Sequence, residues 1–316
     1  MPNALVKYQG GVFSRQQARE AGLTSEMVDS RLRCGAWRAI CRGIYTNRAG
    51  DIDRTGMLWA AVLSAGRHAV LSHQTAAEIL KLGGRLDDDI HVTVPADKKT
   101  DGVPGVRIHR SRRAFQLVLA DCALPCTSVE ETVLDMVDMS DTFDDMCGWV
   151  TRTLSRNRTT AAGLRDAMAK RERLRWRSVL GPMIQATITG DQSVLEHRYD
   201  RDVERAHGLP APNRQVPFNK PDGKQGFRDR AYPGYRVVIE LDGLLYHPRE
   251  DAWEDKERDN AAIECGHEPL RYGWKHVTQL ACATAVQVAR VLSVNGWAGR
   301  PYPCSARCPI RQAFPG

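Results

Sequence analysis

Gly226-Phe-Arg-Asp229-Arg-Ala-Tyr-Pro-Gly-Tyr-Arg236-Val-Val-Ile-Glu240-Leu-Asp242-Gly243-Leu-Leu-Tyr-His247 carries the densest chemical signal in the chain. Val237, Val238, Ile239 and Leu241 are the β-branched and aliphatic content of a buried strand. Pro233-Gly234 is a turn signal, so Asp229 falls on the preceding strand of a hairpin. Side chains alternate along a strand. Val237, Ile239 and Leu241 are therefore expected on one face, and Val238, Glu240 and Asp242 on the other. Asp229, Glu240 and Asp242 converge near one strand end. Buried carboxylates without partners are costly, so such a cluster needs cations. A hard divalent metal ion is the natural candidate, and structural ion pairs are the alternative.

At 316 residues the chain is expected to hold two or three domains. An apolar content of 42% and a charged content of 26% describe an ordinary globular protein. No apolar run reaches membrane-spanning length, and the first residues lack a signal-peptide pattern. Nine scattered cysteines point to reduced thiols in a cytoplasm rather than a disulfide framework. Cys122-x3-Cys126 and Cys304-x3-Cys308 lack zinc-ribbon spacing and have no His at finger spacing, so no structural zinc is expected.

The net charge of +7 is uneven. Residues 1–50 hold eight basic residues against three acidic ones, and residues 155–180 hold eight against two. Two basic patches on a mildly acidic body suit a polyanion such as nucleic acid. Solvated basic helix faces are the plainer alternative.

In the first fifty residues, Ser14 is a good N-cap and Gly22 a good helix stop. A second helix is expected at about 25–34, with Val28 and Leu32 on one face. Two short helices with a tight Gly-containing turn make a helix-turn-helix unit. Gly35 to Tyr45 reads as a two-stranded ribbon with Arg38 and Arg42 exposed, giving a winged-helix arrangement. The second helix would enter the major groove with Ser30, Arg31 and Arg33 available, and the ribbon would sit on phosphates. Gly11-Val-Phe-Ser14, Ala18-x-x-Ala21-Gly22-Leu23 and Gly35-x-Trp37 to Gly43-Ile44-Tyr45 resemble the N-terminal domain of AbiEi-type antitoxins. The resemblance implies operator binding, autorepression and a neighbouring nucleotidyltransferase-like toxin as partner.

An apolar helix is expected from Met57 to Ser64, and a second one, capped by Ser72, running to Leu82. Ile90–Pro95 and Gly105–His109 read as paired strands. Thr127 and Glu130 have capping-box spacing at the start of a helix that buries Val133, Leu134 and Val137. This layout resembles the second, α/β part of AbiEi-like proteins. Ser72-His73 shows no third partner in sequence, so packing or hydrogen bonding is its expected role. Residues 155–185 form a basic helical segment with Leu164, Met168, Leu174 and Leu180 as an apolar stripe.

The C-terminal half reads as αβββαβα: a helix from Ser193, strands at 213–219, 226–231 and 235–242, a charged helix at 250–265, a strand at 268–272 and a helix at 277–294. With Glu196, Asp229 and Glu240-x-Asp242, that order resembles the PD-(D/E)XK nuclease superfamily. Glu240-Leu-Asp242-Gly243 with His247, Asp255-Lys-Glu-Arg258 and Gly266-His-Glu-Pro-Leu-Arg271 resemble more closely the branch related to very-short-patch-repair endonucleases. The resemblance implies hydrolysis of DNA phosphodiesters with Mg2+ or Mn2+. Asp229 and Glu240 would hold the metal, Glu196 would support them, and His247 would act as base or leaving-group acid. Arg258 would hold phosphate or pair with Asp242 or Asp255, and Arg271 would hold phosphate. The superfamily's lysine is replaced by Asp242, which leaves His247 and Lys256 as candidate proton acceptors.

The expected architecture is multidomain α/β. It places a winged helix-turn-helix at 1–50, an AbiEi-like α/β domain at 51–150, a basic helical connector at 151–189, a nuclease-like core at 190–295 and an irregular tail at 296–316. Two functions compete. One is a DNA-binding, metal-dependent endonuclease-like protein in a defence or toxin–antitoxin setting. The other is a non-enzymatic AbiEi-type repressor or antitoxin with a degenerate nuclease-like domain.

Overall fold

Helix caps and β-branched runs set the elements of two compact units, Met1–Met139 and Ser140–Gly316. The computed structural model describes residues 3–83, 88–98, 104–117, 119, 122–189, 193–219, 225–243 and 259–315. Helices and strands are mixed, with three small sheets among the described residues. None of the described helices is long and apolar enough to cross a membrane.

In the first unit, helix α1 (Asn3–Tyr8) precedes strand β1 (Val12–Ser14) and helix α2 (Arg15–Glu20). Ser14 and Gln17 form a reciprocal capping box: Ser14 Oγ accepts the Gln17 N–H at 3.1 Å, and Gln17 Oε1 accepts the Ser14 N–H at 2.9 Å. Gly22, at φ +83°, lets the chain reverse so that the Leu23 N–H reaches Ala18 O at 3.1 Å. Thr24 then caps helix α3 (Ser25–Arg33). Strands β2 (Arg38–Cys41) and β3 (Ile44–Thr46) follow, and the antiparallel sheet runs β1-β3-β2. Val6, Phe13, Ala18, Val28 and Tyr45 form the core of this part, with Leu23, Leu32 and Trp37 against it.

Helix α4 (Arg54–Ala65), strand β4 (Val70–Leu71), helix α5 (His73–Ile79), strands β5 (Ile90–Pro95) and β6 (Val106–Ser111) and helix α6 (Val129–Met139) complete the unit. β5 and β6 pair in parallel, Ile90 opposite Val106. Ser72 occupies the N-cap position of α5 but makes no cap hydrogen bond; its hydroxyl accepts from Thr93 Oγ1 at 2.7 Å instead. At α6 the capping hydroxyl is Ser128, which accepts the Glu131 N–H at 3.3 Å, because Thr127 Oγ1 is engaged with Thr132 Oγ1 at 2.7 Å. Val133, Leu134 and Val137 are fully buried, as their spacing requires.

In the second unit, helices α7 (Phe143–Ser155), α8 (Ala161–Ala169) and α9 (Arg177–Thr189) precede helix α10 (Ser193–Tyr199). Leu164, Met168, Leu174 and Leu180 are all buried. α10 runs on into a π turn, Asp200–Glu204, and a 3-10 turn, Arg205–His207. Strands β7 (Asn213–Asn219), β8 (Gln225–Tyr232), β9 (Val237–Asp242) and β10 (Glu268–Gly273) form a sheet in the order β10-β9-β8-β7. β7, β8 and β9 are antiparallel, and β10 is parallel to β9. Residues 259–264 are helical. His247, Asp255, Lys256 and Arg258 lie outside the described residues. The helix expected from Val277 is two, Trp274–Thr278 and Ala281–Val294, with a break at Gln279-Leu280 where Leu280 leaves the helical region. A short helix, Ile310–Ala313, ends the chain.

Candidate functional site

The β8–β9 ladder pairs Tyr232 with Val237, Ala231 with Val238 and Arg230 with Ile239. One step further, a side chain replaces the backbone: Asp229 Oδ2 accepts the Leu241 N–H at 2.7 Å. Simple alternation does not hold for burial here. Val237 through Leu241 are all buried, because both faces of β9 are covered. Glu240, 6% exposed, lies in that buried run, and its Oε1 accepts from Arg228 Nη1 at 2.9 Å.

Glu196 and Glu240 each feel the charge of Asp229. Burial raises the Glu196 carboxyl above its ordinary range, and the charge of Asp229 raises it further. Burial likewise raises Glu240; the Arg228 hydrogen bond lowers it, and Asp229 pushes it up again. Asp229 thus stands electrostatically between a helix glutamate and a strand glutamate. Glu196 Oε1 also accepts from Gln215 Nε2 on β7 at 3.2 Å. Asp229 repels both glutamates, and the three carboxylates do not close on a common point. Among the described residues, the sets of three or more ligand atoms within 4.8 Å are made of His and Cys. The donors themselves suit a hard divalent ion, since all are carboxylate oxygens and a cation would relieve the repulsion that raises Glu196 and Glu240.

Asp242 is held differently. Its Oδ1 accepts from Arg271 Nη1 at 3.3 Å, while Arg271 Nε donates to Asp259 at 3.0 and 3.1 Å. Arg271, expected on phosphate, thus has its guanidinium between two carboxylates.

Behind the acids lies a polar network with no periodic signature in the sequence. Arg230 is fully buried, and its Nη2 donates to the backbone O of Glu196 at 2.6 Å. Its Nε lies 3.6 Å from Glu204 Oε1, which accepts from Tyr232 Oη at 2.9 Å. The guanidinium carbon sits 5.1 Å from the centre of the Tyr199 ring. The alternating Arg228-Asp229-Arg230 string was the available hint: two cations flanking an acid on a buried strand signal charge compensation.

In the N-terminal unit, Ser30 and Arg33 are exposed on α3, Arg38 on β2 and Arg42 in the following turn. Arg31 is half-buried, 5.3 Å from the Trp37 ring centre, and donates to Met27 O at 3.2 Å. Arg38 Nη2 donates to Gly50 O at 2.8 Å.

Ser72-His73 acquires a carboxylate that the sequence does not reveal. Asp135 Oδ2 lies 3.6 Å from His73 Nδ1, the same nitrogen that Ser72 Oγ meets at 2.9 Å. A nucleophile relay needs the nucleophile and the orienting acid on opposite nitrogens of the histidine base, so this is not one. Ser72 is also wholly buried. His73 stacks on His109 at 3.6 Å between ring centres, and His91 Nδ1 meets His109 Nε2 at 3.0 Å. Burial first, then the neighbouring His73 and His91, lower His109 to about 3.

No protein-family model and no curated protein matches the chain. Among solved structures, the RV2827C protein from Mycobacterium tuberculosis is similar at 14% identity and a TM-score of 0.37, over 61% of this chain and 78% of that one. A likeness that slight carries no argument about fold or chemistry.

Proposed function

We propose that the chain binds DNA and hydrolyses its phosphodiester bonds with a divalent metal ion, Mg2+ or Mn2+, in a defence or toxin–antitoxin setting in the cytoplasm. The observation that carries this reading is Asp229 of β8 accepting the Leu241 N–H next to Glu240 on β9, where its charge bears on both Glu240 and Glu196. Asp229 and Glu240 hold the ion, and Glu196 supports them from α10. Bound there, the ion supplies a polarised phosphate and a water of lowered pKa. His247 takes or returns the proton, and Arg258 and Arg271 steady the phosphate. The nuclease-like reading of 190–295 is supported by the run of α10, β7, β8, β9, the helical segment 259–264, β10 and the helix Ala281–Val294. The winged-helix reading of 1–50 is supported by α2, α3 and the β2–β3 ribbon, with Ser30, Arg31, Arg33, Arg38 and Arg42 as the DNA contacts.

A second reading has its own support. The Arg228–Glu240 and Arg271–Asp242 ion pairs neutralise two of the site acids without any metal. That is the arrangement expected of a non-enzymatic AbiEi-type repressor or antitoxin, partnered by a nucleotidyltransferase-like toxin.

Cleavage of supercoiled, linear and single-stranded DNA with Mg2+, Mn2+ or EDTA separates the two. Metal-dependent cleavage lost in both Asp229→Asn and Glu240→Gln supports the nuclease. Cleavage that survives both removes the assigned site. Salt-sensitive DNA binding without any cleavage by the wild-type chain selects the repressor.

A further inference from the structure

The tail that reads as irregular in sequence returns to the end of the helix carrying Glu196. The Tyr302 N–H donates to His207 O at 3.0 Å, and Tyr302 Oη donates to Arg205 O at 2.8 Å. This docking brings Cys304 and Cys308 to Cys282, in the first turn of the helix Ala281–Val294, and to His207. One ligand atom from each of the four residues lies within 4.8 Å of the other three.

The imidazole is set up to coordinate. His207 is wholly buried, and its Nδ1 lies 3.0 Å from Val203 O, a carbonyl that only accepts. The proton therefore sits on Nδ1, and Nε2 is a lone-pair acceptor. Nε2 is buried with no hydrogen-bond partner. Burying such a group unsatisfied is unfavourable, and a carbonyl on the other nitrogen is the usual outer support of a metal-bound histidine. The sulfurs answer it. Cys282 Sγ and Cys304 Sγ are 3.4 Å apart, well beyond the roughly 2.05 Å of a disulfide. Two thiolates on one tetrahedral zinc, each with a bond of about 2.3 Å, stand about 3.8 Å apart.

We propose that His207, Cys282, Cys304 and Cys308 form a closed Cys3His structural zinc site that pins the C-terminal tail to the end of α10 and its π and 3-10 turns. Loading displaces three thiol protons and leaves the imidazole neutral, so the loaded site carries one negative charge. With four protein ligands and no open position it is structural, distinct in place and donor type from the carboxylate cluster. The sequence hides it, because the ligands lie at 207, 282, 304 and 308 and only Cys304-x3-Cys308 is local.

The test is metal analysis of the full chain from zinc-supplemented growth, with Co2+ exchanged for Zn2+ as a spectroscopic probe. One zinc per chain is expected, and the Co2+ form should show thiolate charge-transfer and tetrahedral d–d bands. Cys308→Ser and His207→Ala should each lower zinc content at least tenfold. Asp166→Asn, at an exposed carboxylate on α8, should leave it unchanged. If a ligand variant does not fold, Co2+ titration of the chelator-treated wild-type chain decides instead, since only a thiolate-rich site gives those bands. Substoichiometric zinc with nine reactive thiols, a Cys282–Cys304 disulfide in freshly purified protein, or octahedral Co2+ spectra would each overturn the proposal.

Discussion

Arg228 Nη1 donates to Glu240 Oε1 at 2.9 Å, with the two side chains 6% and 7% exposed. The pair sits inside the second unit, and the Arg228 guanidinium also lies 3.9 Å from the Phe218 ring centre. Breaking a buried pair on one side strands the other charge, typically a loss of about 3–5 kcal/mol. Glu240 therefore has two ways to be neutralised: by Arg228, or by the metal ion it would share with Asp229.

Arg228→Met is expected to destabilise the metal-free chain by about 3 kcal/mol, from the stranded Glu240 charge. It should also increase the thermal upshift given by Mn2+, because the ion no longer competes with the guanidinium. Thermal melts with Mn2+ and with EDTA measure both. An Mn2+ shift equal in variant and wild type would mean that Glu240 does not take part in metal binding.

A second buried carboxylate sets a pH dependence. Burial raises the Glu204 carboxyl, against the lowering effects of Arg230 and the Tyr232 hydroxyl. A raised folded pKa means that the folded chain binds more protons than the unfolded one. Its contribution is therefore complete below the ordinary carboxylate range and is lost as pH rises through the raised value. Relative to Glu204→Gln, the wild-type chain should gain stability as pH falls toward the ordinary carboxylate range and lose that gain as pH rises through the raised value. Urea unfolding at stepped pH measures the difference; parallel curves for the two chains would contradict it.

Many of the helices and strands of both units were legible in sequence, and the reasons differ by residue. The strands announce themselves through Val237-Val238-Ile239 and the Pro233-Gly234 turn, because a sheet's period and its turns are local properties. Ser14 was readable as a cap because its partner, Gln17, is three residues away. Thr127 was not, because its hydroxyl is taken by Thr132, one helical turn inside α6. The Asp229–Leu241 and Arg228–Glu240 contacts each join residues twelve apart across a hairpin. Nothing periodic encodes which carboxylate meets which partner. The same limit hid Asp135 from His73, and His207 from the three thiols.

DNA binding by the N-terminal unit is expected to be salt-dependent and graded by residue. Arg33 and Arg42 are exposed, so Arg33→Ala and Arg42→Ala should each reduce the slope of log affinity against log salt by about 1, the value for one lost phosphate contact. Arg31 also packs on Trp37 and bonds the Met27 carbonyl, so Arg31→Ala should lower the melting temperature as well. Fluorescence anisotropy at several salt concentrations, with melts alongside, measures this. Unchanged slopes in all three variants would move the DNA contact elsewhere.

Gly208 tests whether the tail and the end of α10 act as one piece. It ends the 3-10 turn at φ +64°, and a Cβ built there would fall 2.2 Å from Tyr302 Cε1, an impossible approach. Gly234, in the β8–β9 turn, is also left-handed, at φ +81°, but open space surrounds it. Both Gly→Ala substitutions incur the left-handed backbone strain, about 1–2 kcal/mol. Only Gly208→Ala must also expel Tyr302, and with it the segment that delivers Cys304 and Cys308. Gly208→Ala should therefore destabilise the chain more than Gly234→Ala and lower its zinc content. Adding Tyr302→Ala to Gly208→Ala should recover part of the zinc by removing the clash while keeping the backbone strain. Equal losses of stability from the two glycine substitutions, with zinc content unmoved, would show that the tail is not tied to His207 through Tyr302.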